Sequence, residues 1–236
     1  MADVLWHDFT GSEVLAEALA ETVAMHLADA IEKRGAASIA VSGGSTPPPF
    51  FRALSRQEID WTRVTITLVD ERFVPPSSER SNAALASRHL LQNNAAKANF
   101  IGLYQPTETV EDAAERADEK IGEIPLPLDV VVLGMGPDGH TASFFPDAED
   151  IALKMQVQDR RVLPIYAKSA GEPRLTLSMP LISQARFIAV HIEGEEKRQV
   201  LETTLSADGA KLPIRIAVEQ AAAPVSIYWA PGRTTP

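Results

Sequence analysis

Short apolar runs rich in β-branched residues alternate along this chain with longer segments in which apolar residues recur at helical spacing. The strand-like runs are Val4–Phe9, Ser38–Val41, Val64–Val69, Phe100–Leu103, Leu128–Val132, Arg161–Tyr166, Arg174–Met179, Arg186–Ile192 and Val225–Trp229. The helical segments are Glu13–Arg34, Pro48–Leu54, Ser81–Leu91, Val110–Ile121 and Glu196–Leu201. This alternation predicts a three-layer α/β fold, in which helices cover both faces of a mostly parallel sheet. We expect one domain over residues 1–236.

A few residues mark the expected ends of these elements. Ser12 is predicted to cap the first helix and Gly35 to end it. His26 lies on the apolar stripe of that helix, which predicts a packed, structural histidine. Pro231 to Pro236 are expected to form a tail.

Composition and charge narrow the classes of function. The chain has 236 residues, no cysteine and a formal net charge of −10. This charge argues against general nucleic-acid binding but leaves room for a local basic pocket. Without cysteine there is no disulfide, catalytic thiolate or cysteine metal ligand. No apolar run approaches the roughly 20 residues of a membrane span and no signal peptide is evident, so we expect a cytoplasmic protein.

Three loops that follow predicted strands carry the residues best suited to chemistry. The first loop, Ser42–Pro47, supplies Gly43, Gly44, Ser45 and Thr46 just before a helix that starts with prolines. Backbone N–H groups and hydroxyls at such a helix start form an anion-binding site. No Gly-Lys-Ser/Thr is present, so this is not a Walker loop. An ordinary strand-to-helix connection is the alternative.

The second loop begins with Asp70-Glu71-Arg72 at the end of a predicted strand. An arginine there can hold a phosphate or carboxylate through two hydrogen bonds, while the acids orient it or bind hydroxyls. A solvated, charged turn is the alternative. Lys197 lies in the first turn of a predicted helix, where the helix dipole disfavours a cation. It could therefore face a phosphate, although a solvated lysine explains the position equally well.

The third loop, Leu133–Ser143, is the most distinctive stretch of the sequence. It combines three glycines with Asp138 and delivers His140 beyond the carboxyl end of a buried strand, where ligands bind in open α/β sheets. Because imidazole exchanges a proton near neutral pH, His140 is a candidate general base. Pro137 and Asp138 interrupt any dinucleotide-binding fingerprint. A glycine-rich turn whose histidine caps a helix is the alternative.

The three loops can converge at one edge of the sheet, where they would offer an anion cradle, an arginine and a base. The five histidines are scattered without metal-ligand spacing, so a metal site is not expected. No Gly-x-Ser-x-Gly elbow is present, which disfavours a serine hydrolase. His140 therefore remains as a base that acts on water or on a sugar hydroxyl.

Four motifs, in this order and spacing, resemble those of the 6-phosphogluconolactonase family. They are Ser42–Pro47, Asp70–Pro75, Ser81-Asn82 and Leu133–Pro146. The resemblance covers nearly the whole chain, including the segments around Arg174 and Lys197. It implies the fold shared with glucosamine-6-phosphate deaminase and ribose-5-phosphate isomerase. It also implies hydrolysis of 6-phospho-D-glucono-1,5-lactone to 6-phosphogluconate in the oxidative pentose phosphate pathway, without metal or cofactor.

The resemblance also suggests roles for single residues. His140 would take a proton from the attacking water and then help to protonate the leaving ring oxygen. Backbone N–H groups of the glycine loops would stabilise the oxyanion. The expected substrate-binding residues are Gly43, Gly44, Ser45, Thr46, Asp70, Arg72, Asn82, Gly136, Asp138, Arg174 and Lys197. We expect the basic residues and the first glycine loop at the phosphate, and a small sugar-phosphate lactone as the substrate of a monomer or weak homodimer.

Two other functions stay open at this point. Aminosugar-phosphate deaminases of the same fold share these loops, but they carry a glutamate shortly after the histidine. This chain has Phe144-Phe145-Pro146 there, without an acid. A non-catalytic sugar-phosphate-binding regulator would be expected to lack the base, whereas His140 is present. The sequence therefore favours the lactonase over both.

Overall fold

The computed structural model describes residues 3–232 of the chain. Within this range the strands are β1 (Val4–Asp8), β2 (Ala37–Val41), β3 (Val64–Leu68), β4 (Asp70–Arg72), β5 (Asn99–Ile101), β6 (Val130–Leu133), β7 (Val162–Ile165), β8 (Arg174–Leu177), β9 (Phe187–Glu193) and β10 (Val225–Ala230). The α-helices are α1 (Ser12–Arg34), α2 (Pro48–Ser55), α3 (Asn82–His89), α4 (Val110–Ile121), α5 (Ile151–Lys154), α6 (Met179–Ser183), α7 (Glu195–Leu205) and α8 (Pro213–Glu219). None of these helices is long and apolar enough to cross a membrane.

Seven strands form one parallel sheet in the order β1-β10-β9-β6-β2-β3-β5. The central strands β2 and β6 are buried at every position, as expected where helices cover both faces. The predicted α/β class and mostly parallel sheet are confirmed. Strand β1, predicted as a strand, lies at one edge of this sheet.

A second sheet is a departure from the prediction. Strands β4, β8 and β7 pair antiparallel in that order, apart from the parallel sheet. The segment Asp70–Arg72, expected to begin a loop after a strand, is thus a short strand of its own. Alternation of apolar and polar residues identifies strands but not their partners, so β7 and β8 were not distinguishable from members of the main sheet.

Several local predictions are settled by the structure. Gly35 ends α1 in the left-handed region at φ 82°, as predicted. Ser12 does not cap this helix; it lies inside the first turn, and its hydroxyl donates to Glu193 Oε2 at 2.8 Å. The ring of His26 stacks on Phe187 at 4.1 Å, which confirms a packed histidine. Helices α5, α6 and α8 were not predicted. The predicted tail lies outside the described residues from position 233 onward.

The order of the strands places the candidate site. After β2 the chain moves to β3 on one side, whereas the next strand of the parallel sheet after β6 is β9, on the other side. Since such crossovers are right-handed, the helices that follow lie on opposite faces of the sheet. The loops after β2 and β6 therefore lead to opposite faces of the sheet and leave a crevice between them. This is the position where open α/β sheets bind ligands.

Candidate active site

A cavity of about 350 Å³ occupies this crevice. Of the predicted site residues, those that line it are Gly43, Gly44, Ser45, Thr46, Asp70, Arg72, Asn82, Gly136, His140, Arg174 and Lys197. Asp138 is the exception, as it does not line the cavity. The three loops converge as the sequence suggested, because the strands that precede them are parallel and end at one edge.

The first glycine loop presents a row of free backbone donors. The N–H groups of residues 43 to 46 donate a hydrogen bond to no residue that the structure describes. Gly44 has φ of +100°, a conformation that favours glycine. The helix end contributes less than predicted, because Pro47, Pro48 and Pro49 have no N–H to offer. An anion would therefore be bound by the loop itself.

Gly43 is required by the close approach of Asn82. A Cβ at position 43 would lie 2.0 Å from Asn82 Oδ1. Asn82 is buried and fixed, because its amide donates to the backbone oxygen of Asp70 at 2.8 Å and accepts from Arg72 Nη1 at 2.9 Å. Only glycine leaves room for this contact.

Gly43→Ala is expected to raise KM for the substrate by about tenfold, because displacement of Asn82 frees Arg72 and costs roughly one hydrogen bond. Gly11, whose added Cβ would meet nothing within 4 Å, offers the matched control Gly11→Ala. Steady-state kinetics of both variants test this expectation. An unchanged KM in Gly43→Ala would contradict the role given to the contact.

Glu71 serves the fold rather than a ligand. It is fully buried, and its carboxylate accepts from the backbone N–H groups of Arg72, Asn82 and Ala83 and from the Ser81 hydroxyl, all between 2.7 and 2.9 Å. Burial raises the pKa of this carboxyl despite the four donors. Glu71 thus ties β4 to the start of α3, where the Ser81 hydroxyl caps the helix by accepting a hydrogen bond from the N–H of Ala84.

Asp70 lies beside Glu71 but faces the cavity. It accepts a hydrogen bond of 2.6 Å from the Ser143 hydroxyl, on the third loop. This contact joins the second loop to the third across the floor of the site. The sequence did not indicate that Ser143 would hold Asp70.

Two arginines form one wall of the cavity. The register of the antiparallel sheet places Arg72 directly opposite Arg174. Arg72 Nη1 donates to Arg80 O at 2.6 Å, and Arg174 Nη2 donates to Ala170 O at 3.1 Å. Each Nε is buried and has no hydrogen-bond partner among the described residues. Burial, with Arg72 alongside, lowers the pKa of Arg174. An anion bound here would accept hydrogen bonds from the unsatisfied donors. It would also reduce the repulsion between the two guanidinium groups.

His140 is held by its neighbour two positions earlier. Its Nδ1 lies 2.6 Å from Asp138 Oδ1, and its ring packs 4.4 Å from that of Phe145. Its side chain is 29% exposed. With Nδ1 engaged by the carboxylate, Nε2 is the nitrogen left to exchange a proton with a ligand. No helix begins here, so the alternative of a helix-capping histidine is wrong.

Two residues of this loop take positions that bear on their predicted roles. Asp138, one of the predicted substrate-binding residues, does not line the cavity, and its Oδ1 lies 2.6 Å from His140 Nδ1. The N–H of Gly136 donates to His140 O at 3.0 Å, so it is not free for an oxyanion. A Cβ at Gly136 would lie 2.2 Å from His140 Cε1, which explains why the loop has glycine there.

Lys197 and a residue that the sequence did not reveal complete the cavity. Lys197 lies in the first turn of α7, as predicted, where burial lowers its pKa and Glu193 and Glu196 oppose that change. His191 also lines the cavity, although it is only 4% exposed. The one available signal was a polar residue near the carboxyl end of an apolar strand.

The described residues contain no group of three or more histidine or acidic side chains that could hold a metal ion.

The chain is similar in sequence and in fold to several known proteins. The family model described as glucosamine-6-phosphate isomerases/6-phosphogluconolactonase matches residues 10–229. A protein of Mesorhizobium japonicum named 6-phosphogluconolactonase is 54% identical over 227 residues, which cover 96% of this chain and 95% of that relative. One of Pseudomonas aeruginosa with the same name is 46% identical, with coverage of 92% and 90%. The crystal structure of a 6-phosphogluconolactonase from Shewanella baltica has a TM-score of 0.93 at 39% identity and covers 97% of this chain and 98% of its own.

Proposed function

This chain belongs to the family of glucosamine-6-phosphate isomerases and 6-phosphogluconolactonases, and we propose that it hydrolyses 6-phospho-D-glucono-1,5-lactone to 6-phosphogluconate with His140 as the general base. The predicted enzyme class, a hydrolase that acts on a sugar-phosphate lactone, agrees with the names of its relatives. The reaction is a step of the oxidative pentose phosphate pathway. A cytoplasmic location and a monomer or weak homodimer remain predictions that accompany this proposal.

The pairing of His140 with Asp138 is the observation that carries the mechanism. The carboxylate 2.6 Å from Nδ1 favours the tautomer in which Nε2 is unprotonated, and it stabilises the imidazolium once formed. His140 accepts a proton from water as the water oxygen bonds to the lactone carbonyl carbon. The tetrahedral intermediate then breaks its bond to the ring oxygen, which takes the proton back from His140. One water is consumed and the base is regenerated.

Charge stabilisation comes from groups that have no partner within the protein. The free N–H groups of residues 43 to 46 and the guanidinium groups of Arg72 and Arg174 are donors of residues that line the same cavity. The substrate has two groups that carry negative charge and accept hydrogen bonds. They are its phosphate and the oxyanion that develops at the carbonyl. We assign these donors to the two groups together.

The aminosugar-phosphate deaminase is the weaker candidate. The position near the base that would need an acid is filled by Phe145, whose ring packs against both His140 and the guanidinium of Arg174. An apolar ring there excludes water from one side of the base but cannot transfer a proton. This contact favours the lactonase.

Asp138→Asn is expected to lower kcat by about tenfold to a hundredfold and to leave KM nearly unchanged, because the amide cannot stabilise the imidazolium. Asp159→Asn, at an exposed aspartate outside the cavity, is the matched control. The measurement is the steady-state rate at neutral pH. Full activity of Asp138→Asn would remove the carboxylate from the mechanism.

The test of the function is the hydrolysis of freshly generated lactone with wild-type protein and without protein, since the lactone also opens unaided. Acid release above the unaided rate supports the proposal. Ammonia release from glucosamine 6-phosphate is measured in parallel. Ammonia release without lactone hydrolysis would replace the lactonase with the deaminase, and inactivity in both assays would reject both enzymes.

A further inference from the structure

A second histidine lies in the cavity and has no part in the mechanism above. His191 is near the carboxyl end of β9, and its side chain is 3% exposed. Its ring contacts that of Phe50 edge to face, with centroids 6.1 Å apart. Both residues line the substrate cavity. A purely structural histidine would have both nitrogens satisfied inside the protein, as buried polar groups normally do.

The nitrogens of His191 are not satisfied in that way. Nε2 is buried and makes no hydrogen bond with the described residues, while its neighbour Glu193 Oε1 lies at 3.5 Å. The Glu193 carboxylate itself is anchored at its other oxygen, which accepts from Ser12 at 2.8 Å. A fixed carboxylate behind an imidazole orients the ring and favours a proton on the nearer nitrogen. The nitrogen left for a ligand is Nδ1.

Lys197 ties this histidine to the charged end of the substrate. Glu193 precedes Lys197 by one turn at the junction of β9 and α7, and its carboxylate opposes the lowering of the Lys197 pKa by burial, so this carboxylate is near both cavity residues. An anion that binds Lys197 therefore enters the region that His191 borders. With Nε2 facing Glu193, Nδ1 is left to donate to that anion when the ring is protonated, or to accept from a hydroxyl when it is neutral.

We propose that His191 is a substrate-binding residue, which contacts the phosphorylated end of the sugar through Nδ1 while Glu193 orients its ring. This role rests on the proposed function, because it takes the sugar phosphate as the ligand. His191 binds the substrate and does not exchange a proton with the reacting atoms. His140 carries out that proton exchange.

Three substitutions at one position separate the roles of the two nitrogens. His191→Asn keeps a polar group at the place of Nδ1, His191→Gln keeps one near the place of Nε2, and His191→Phe keeps neither. The control is His26→Phe, a histidine that packs on an aromatic ring away from the cavity. The measurements are KM and kcat for the lactone, the Kd of 6-phosphogluconate by calorimetry, and Tm.

We expect His191→Phe to raise both KM and the Kd of 6-phosphogluconate by about tenfold or more, with kcat within about threefold of wild type. His191→Asn should recover most of this affinity and His191→Gln little of it. Unchanged KM and Kd in His191→Phe, or recovery by Gln but not by Asn, would overturn the contact through Nδ1. Wild-type protein that does not hydrolyse the lactone would instead overturn the proposed function, before any variant is compared.

Discussion

Replacement of His140 by asparagine is expected to lower kcat for lactone hydrolysis by about a hundredfold to ten-thousandfold, with KM changed by less than about threefold. Asparagine keeps a donor for Asp138, so the loop is retained, but it cannot accept a proton from water at neutral pH. Binding is preserved, because the arginines, Lys197 and the first glycine loop do not depend on the ring of His140 for their positions.

The measurement is the initial rate of acid release, corrected for unaided opening of the lactone. His89→Asn is the matched control, since His89 lies at the end of α3 and does not line the cavity. An increase in KM without a loss of kcat would make His140 a binding residue. Retention of more than about a third of wild-type kcat would place the base elsewhere, since loss of a general base costs far more.

Glu71→Gln is expected to lower the free energy of unfolding by about 2–4 kcal/mol. Glutamine offers one oxygen and one NH₂ group where the carboxylate accepts four hydrogen bonds. The NH₂ group of the glutamine then faces other hydrogen-bond donors inside a fully buried site. As a result, the hydrogen bonds that connect β4 to the start of α3 are weakened. Because Asn82 is among the bonded residues, the substrate cavity is disturbed as well.

Urea unfolding at pH 7.5 measures this loss. Glu79→Gln is the control, because Glu79 is exposed in the segment between β4 and α3. The control should remain within about 0.5 kcal/mol of wild type, as surface substitutions usually do. A similarly small change in Glu71→Gln would show that the carboxylate is not a structural anchor.

The sequence by itself determined the class of the sheet and the edge at which the three loops meet. Runs such as Val130–Leu133 can be buried on both faces only in a covered parallel sheet, so the class followed from the pattern. Glycine-rich segments directly after such strands must meet at the carboxyl edge. His140, Arg72 and the first glycine loop could therefore be predicted to lie together from the sequence alone. Their chain neighbours and the backbone geometry of parallel strands place them at the same edge of the sheet.

Roles that depend on contacts between distant segments were not determined in this way. Three carboxylates lie within these motifs, and the sequence did not distinguish their positions. In the structure Asp70 faces the cavity, Glu71 is buried at the start of α3, and Asp138 contacts the ring of His140. Each role depends on side-chain direction and on a partner far away in sequence or across a turn.

The small antiparallel sheet and His191 show the same limit. The pairing of Arg72 with Arg174 joins residues about a hundred positions apart, and nothing local in either strand specifies it. His191 occupies a position in β9 that the pattern marks as core, and only the tertiary structure shows that it lines the cavity together with Phe50 of α2 and Lys197 of α7. Local pattern fixes backbone elements because it acts through neighbouring residues, whereas the direction and partner of a polar side chain are set by whichever segments fold against it.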